Sequence, residues 1–521
     1  AIVDTPTDML HSLSRQFLLT LQILTLSCVA VFFFVHTAHF VDPDMGWHIR
    51  TGEWSVMNHA IPTHDLFSYT LPDHEWHNNE WLMDVLFFSL YAGGDWSIAI
   101  VVFFLFAFIP FAWWILATKD LLSLSLVALA TFIALPVIGV RPQLFSFFLL
   151  FLLARFLFST LRRNPRWAPI FLLLPPFFLL WANLHGGFVM GLAMWGIAIA
   201  IGGGERLIKK ESLLTRGDLI EYGSFAASVC ATTLTPYGIS LWIEIVRGAT
   251  TPVNQYIKEW QPALGSWPWS LPIFLGCTGV LILHAWRRFE YKMLAVALFF
   301  LSLALLHARM VLPFFVTVMP LLIGASGALH QHLRPGTDTR RNSVINYFFL
   351  ACGTLLLATL MLSFRSDAFQ APYQPPTRMV ERLEAYCAQK SCGNVYSEYN
   401  FGGALLLTSP ERKVFAAGYM PHWVDQNGYS PASEAIALQI DHPEAYQGVF
   451  ERYEIRVAMV TPPIDTSRTP HAKNFPIFAG LLMRFHLIPE EAEGGNLANH
   501  LERAGWRRIS VDEQSALYVH P

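Results

Sequence analysis

Long apolar runs, broken by short polar stretches, dominate the first two thirds of the chain. Eleven of them read as membrane spans: residues 17–39, 96–118, 121–140, 143–161, 168–184, 187–206, 219–235, 269–286, 291–306, 311–329 and 344–364. Each approaches the roughly 20 residues that a helix needs to cross hydrocarbon. The polar break at 183–187 makes the fifth and sixth spans a hairpin. The run 81–91 is too short to cross and predicts an amphipathic helix lying in the interface. Beyond about residue 365 the apolar runs shorten, and charged and turn residues rise. There KVFAAGY (413–419) and ALYVH (516–520) read as buried strands. Stretches 379–389, 433–440 and 497–504 read as helices, and FGG at 401–403 reads as a turn. The pattern predicts a polytopic α-helical membrane domain over 1–364, with a large first loop at 40–95. A soluble α/β domain follows over 365–521.

Composition agrees. Of 521 residues, 54% are hydrophobic and 14% charged, against about 25% charged in soluble domains. A net charge of -3 argues against a nucleic-acid partner. The first apolar run is long for a signal peptide and lacks a small-residue cleavage site, so it reads as a retained anchor. Cys387 and Cys392 are the soluble segment's cysteines. A disulfide and two free thiols are both open for them. Cys28, Cys230, Cys277 and Cys352 fall in spans and read as packing residues.

Basic loops at 161–166, 205–216, 286–292 and 334–341 alternate onto one side with Arg15 and Lys119. That side is expected to be cytoplasmic. The N-terminus then lies inside. The loops 40–95 and 236–268 and the C-terminal domain lie outside.

On this topology the unusual polar residues converge on the outer leaflet. Asp42, Asp44, His48 and Glu80 lie in the first loop, and Arg141 sits at the outer end of the third span. Asn183 and His185 form the hairpin, Lys258 and Glu259 lie in the second long loop, and Arg309 precedes the tenth span. Ionisable groups held at membrane depth are functional candidates. Arginines suit a phosphate or diphosphate, and a carboxylate suits a general base. Apolar spans offer a groove for an isoprenoid tail. Together these describe transfer of a sugar from a lipid phosphate to a glycan, lipid or protein acceptor. The catalytic candidates are Asp42 and Asp44. The substrate-binding candidates are His48, Glu80, Arg141, His185, Glu259 and Arg309. Asp44 and His48 are also candidate ligands of a divalent cation, Mg or Mn.

The segments DPDMGWHIRTGEW (42–54), IPTHDLFSYT (61–70) and WHNNEWL (76–82) carry a family resemblance. RPQLFS, WANLHGGF, LTPYG, KEW and HARM extend it over most of the chain. The set resembles bacterial integral-membrane proteins of the GT-C glycosyltransferase superfamily, which includes oligosaccharyltransferases and protein O-mannosyltransferases. The resemblance implies a multi-span core, an acidic first outer loop and a C-terminal soluble domain in a bacterial inner membrane. It implies that Asp42 or Asp44 acts as base or metal partner, and that Arg309 lies near the donor phosphate. The places of His185, Arg141 and Glu259 rest on topology alone.

Competing readings stand beside these. Asp42 and Asp44 could cap a helix beginning near Met45. The arginines could snorkel, and His185 could simply bond its turn. Trp47, Trp54, Trp76 and Trp81 suit an interfacial belt as well as sugar stacking. A catalytically inactive GT-C-like scaffold subunit of a membrane complex is the alternative function. A transporter is a weaker one, since midplane charges and inverted repeats are not visible.

Overall fold

The structure, a computed structural model, describes residues 6–158, 170–212, 215–263, 270–285, 291–332, 376–463 and 496–521. The span expected at 344–364 and the basic loops at 161–166 and 334–341 lie outside the described residues, as do residues 286–290 of the third.

The helices of the first part are α1 (Pro6–His39), α2 (Met45–Asn58), α3 (Trp81–Gly94), α4 (Trp96–Ala117), α5 (Leu121–Ala134), α6 (Pro142–Leu157), α7 (Leu174–Leu184), α8 (Phe188–Lys209), α9 (Arg216–Ala231), α10 (Ser240–Thr250), α11 (Ser270–Ala285), α12 (Tyr291–Leu306) and α13 (Val311–His332). Four stretches among the described residues are long and apolar enough to cross a membrane: Gln16–His39, Trp96–Ala117, Phe188–Lys209 and Ala308–Leu329. Most of the other expected spans are apolar helices of 10–17 residues. One is cut short at Leu135–Val137, where a 3-10 turn containing Pro136 ends α5 before Arg141. Broken helices at membrane depth are tolerated where protein covers their ends. Several such helices beside four long ones describe a multi-pass membrane protein.

Helix α3 differs from expectation. It is apolar on most sides and packs into the bundle, with Met83, Asp84 and Phe87 buried. Gly52 of α2 makes this possible, because a β-carbon there would stand 2.0 Å from the Asp84 carbonyl oxygen. Helix α10 was not expected at all.

The C-terminal part contains α14 (Thr377–Cys387), β1 (Val395–Ser397), α15 (Gly402–Thr408), α16 (Pro431–Ile436), α17 (Tyr446–Arg452), β2 (Val457–Val460), α18 (Leu497–Arg503), β3 (Arg507–Val511) and β4 (Ala516–Val519). The sheet order is β1-β2-β4-β3. β1 and β2 run parallel, and β4 pairs antiparallel with both β2 and β3. Cys387 and Cys392 form a disulfide. ALYV is a central strand, as expected. KVFAAGY is buried and extended, but it pairs with the first loop instead of joining the sheet. Val414 N donates to Phe67 O, Tyr69 N donates to Val414 O, and Thr70 Oγ1 donates to Phe415 O. FGG is also no free turn: Gly402 and Gly403 open α15 against α2.

Two cores result. One fills the helical bundle. The other joins the C-terminal part to the first loop: Trp47, Phe67 and Trp76 pack among Tyr419, Trp423 and the sheet residues. Trp76 lies 5.0 Å from Tyr419 and 5.9 Å from Trp423, centroid to centroid. Trp47 and Trp76 therefore neither form an interfacial belt nor offer a sugar platform. They weld the loop onto the domain.

Candidate functional site

The site begins where α1 ends. Val41 bridges Val140, with Asp42 N donating to Val140 O and Val140 N to Phe40 O. This pairing needs Gly139, because a β-carbon there would stand 2.1 Å from the Phe40 ring. It sets Asp42 beside Arg141, the residue preceding α6. Arg141 Nη2 lies 3.0 Å from Asp42 Oδ2 and 2.6 Å from Glu259 Oε2. Glu259 arrives on a short 3-10 turn, Lys258–Trp260. That turn is held by Ala308 N donating to Gln261 O and by His307 Nδ1 donating to Trp260 O. The same contacts bring Arg309 over the Trp260 ring at 4.5 Å, with Nη1 3.7 Å from Glu259 Oε1. Asp42, Arg141, Glu259 and Arg309 thus form one chain of alternating charge.

A second chain runs beside it. Asp44 precedes α2, and His48 stands one turn later on the same face. His48 Nδ1 donates to Asp84 Oδ1 at 2.5 Å, and its Nε2 lies 3.7 Å from Glu80 Oε2. Asn78 Nδ2 donates to the other oxygen of Asp84 at 2.6 Å. His185 Nε2 reaches Glu80 Oε1 at 3.4 Å. The tautomer of His185 follows from its other nitrogen. Gly187 N donates to Nδ1, so the proton sits on Nε2 and faces Glu80. Ser146 Oγ lies 2.7 Å from the same Nδ1 and accepts from Trp181 Nε1. Trp81 Nε1 donates to Asn183 Oδ1, fastening the first loop to the hairpin.

Asp44 is no helix cap. Its side chain makes no capping bond, and its backbone is itself helical. Its carboxyl packs instead against the soluble domain, where a β-carbon on Gly418 would stand 1.7 Å from Oδ1.

Charge separates the roles. Burial and the neighbouring Asp42 push Asp44 up to about 7, against the pull of His48. Burial likewise lifts Glu80 to about 7, opposed by His48 and Arg309. Burial and the Arg309 charge press His185 down to about 3, so it is neutral. Burial opposes the charge of His48, but Asp84 and Glu80 outweigh it and raise it above the usual imidazole value. Burial also opposes ionisation of Glu259, yet Arg141 and Arg309 hold it below the usual carboxylate range. Asp42 is paired with a guanidinium, whereas Asp44 has no ion-pair partner among the described residues. Two carboxyls two residues apart therefore sit in opposite settings, an arrangement that divides acid and base duties.

Of the eight candidate residues, Asp42, Arg141, Glu259 and Arg309 join in the first chain and His48, Glu80 and His185 in the second, while Asp44 is tied to Asp42 through its backbone N–H. Of the two expected metal ligands, His48 commits its ring to Asp84 and Glu80. Among the described residues no group of three or more His, Cys, Asp or Glu side chains is disposed to hold a metal ion. Of the loop histidines, His77 turns to Glu244, and His74 lies against Trp423. Sequence reasoning missed Asp84, Asn78, Ser146, Trp260, His307 and Gly418. Asp84 had a signal, being a lone carboxylate inside an apolar run. Gly418 had none.

Comparison with solved structures finds a similar overall fold. The apo crystal structure of the Archaeoglobus fulgidus oligosaccharyltransferase is similar at a TM-score of 0.51 and 13% identity, covering 84% of this chain and 69% of that one. A second structure of that protein, tethered to an acceptor peptide containing the NVT sequon via a disulfide bond, gives a TM-score of 0.49 at 13% identity, with coverage of 84% and 69%. The likeness is one of overall fold. No protein-family model matches the sequence, and no curated protein matches it by sequence.

Proposed function

We propose that this chain is a glycosyltransferase that moves a sugar from a polyprenyl-phosphate donor to an acceptor at the outer face of the membrane. The observation that carries the reading is Asp44. Among the described residues it is a carboxyl without an ion-pair partner, poised near neutrality, and its backbone N–H donates to Asp42, the partner of Arg141, in a fold similar to that of an oligosaccharyltransferase.

In the proposed reaction an acceptor hydroxyl or amine attacks the anomeric carbon of the donor sugar. Asp44 takes the proton from the attacking group. The bond from the anomeric carbon to the phosphate oxygen breaks, and the electron pair leaves with the polyprenyl phosphate. Arg309, partly exposed and held by stacking on Trp260, receives the departing charge. Arg141 is already shared by Asp42 and Glu259, so it holds the frame. Neutral His185 and His48 flank Glu80. No step is routed through a metal ion.

The test is transfer from a labelled polyprenyl-phosphate sugar in proteoliposomes. Asp44→Asn keeps shape and removes basicity, and loss of a general base typically costs about two to four orders of magnitude in rate. Full activity in Asp44→Asn, with the protein normally folded, sinks this assignment. Absence of transfer with every donor, together with stable co-purifying membrane subunits, supports an inactive scaffold instead.

A further inference from the structure

Helix α10 spans 11 residues of the second long connection, and its two faces differ. On one face Leu241 and Glu244 are buried. Trp242 packs edge-on to Phe188 of α8 at 5.3 Å. A β-carbon on Gly186, next to His185, would touch Ile245 at 3.5 Å. Glu244 accepts from His422 Nε2 of the soluble domain at 2.7 Å and from Arg247 Nη1 at 2.8 Å. That face is bound to the bundle, the 185–187 turn and the domain.

The other face is apolar and open. Ile239 at the helix start is 66% exposed, Ile243 48% and Val246 60%. Their i, i+4, i+7 spacing makes one stripe. The preceding helix, α9, also exposes apolar residues. There Leu219, Cys230 and, just beyond the helix, Leu234 are exposed. The carboxylates of α9 turn inward, Asp218 to Arg206 and Glu221 to the Trp195 indole. That division is what lipid contact demands of a helix. Exposed apolar residues thus occur both on α9 and on α10, which follows it after a short turn containing Tyr237.

We infer that α10 is a membrane-surface helix whose Ile239, Ile243 and Val246 stripe is seated in lipid acyl chains on the side of the bilayer that holds the candidate site. The inference rests on the multi-pass reading alone and is independent of the proposed sugar transfer. Its partner is the bilayer itself. The stripe carries no charge, and Arg247, paired to Glu244, marks the boundary with water. Because the same connection delivers Glu259, the seat of α10 sets the height at which that carboxylate meets Arg141.

Spin labels test this in lipid nanodiscs. Cysteines replace Ile239, Ile243, Val246 and Arg247 one at a time, in full-length protein with Cys28, Cys230, Cys277 and Cys352 changed to alanine. Labels on Ile239→Cys, Ile243→Cys and Val246→Cys should collide with oxygen and not with a water-soluble nickel chelate, at a depth of about 5–10 Å below the headgroups. Arg247→Cys should show the reverse. Quenching of a fluorophore at the same positions by brominated lipids reads the depth independently. Free collision of the Ile243→Cys label with the nickel chelate overturns the inference. So does protection from both reagents, which means that a protein partner or a second copy covers the stripe.

Discussion

Gly418 of the soluble domain stands so close to Asp44 that a β-carbon on it would lie 1.7 Å from Oδ1 and 2.4 Å from Cγ. The carboxyl proposed as base is thus packed by a residue 374 positions away in the chain, and only glycine fits there. Gly403 repeats the device beside it, where an added β-carbon would stand 2.1 Å from the Pro43 carbonyl oxygen.

Gly418→Ala is therefore expected to displace Asp44 without touching the arginines. Overpacking of this kind typically costs about 1–3 kcal/mol. Thermal unfolding should show a modest loss of stability, and transfer assays a larger loss of kcat than of donor affinity. Unchanged kcat in this variant means that the position of Asp44 does not matter to the reaction.

The pH dependence has a definite sign. Asp44 and Glu80 are both raised to about 7. The folded state therefore favours their protonated forms. The stability they contribute is fully present below the ordinary carboxylate range and is lost as pH rises through about 7. A base needs the opposite form, so transfer rate should climb through the same window in which stability falls. Rate profiles and melting curves recorded across that range check both slopes. Asp44→Asn should flatten part of each.

Arg141→Ala should damage folding more than chemistry alone explains. It leaves Asp42 and Glu259 facing each other without the guanidinium between them, and removing one partner of a buried ion pair typically costs about 3–5 kcal/mol. Arg309→Lys keeps a charge but loses planar stacking on Trp260 and paired hydrogen bonding. It should weaken donor binding and leave the melting temperature nearly unchanged. Donor titration and calorimetry separate the two variants.

Trp76→Ala is expected to loosen the soluble domain and the first loop together, because Trp76 lies between Phe67, Trp47, Tyr419 and Trp423. Large-to-small changes of a buried tryptophan cost about 3–5 kcal/mol. Limited proteolysis should cut residues 59–80 and the soluble domain at the same rate. Loss of protection in only one of them contradicts a shared core.

The charged residues of the site were visible in the sequence for a physical reason. Ionisable groups beside apolar runs are costly, so Asp42, Arg141, His185 and Arg309 stand out wherever they occur. Their pairing was not visible. It depends on the Val41–Val140 bridge, which joins residues about a hundred positions apart, and on the turn that carries Glu259. Helix α10 was hidden because Glu244 and Arg247 interrupt its apolar run, although they interrupt only one face. KVFAAGY read as a strand because it is apolar and extended. Its hydrogen-bond partners lie in the first loop, and no local pattern names a distant partner. The glycines of the α2 contact were unreadable, since their value lies in what stands opposite.

The pairing of Thr70 with Phe415 spans 345 positions of sequence. At about 5–20 residues per second of synthesis, the loop waits roughly 17–70 s for the segment that covers it. During that interval Trp47, Phe67 and Trp76 have no core to enter. The domain has the converse problem: residues 376–521 made alone lack three of their large core side chains, and Trp423 and Tyr419 are left uncovered. The two halves of this core are made at opposite ends of a membrane insertion, and neither can finish folding until every intervening helix is in place.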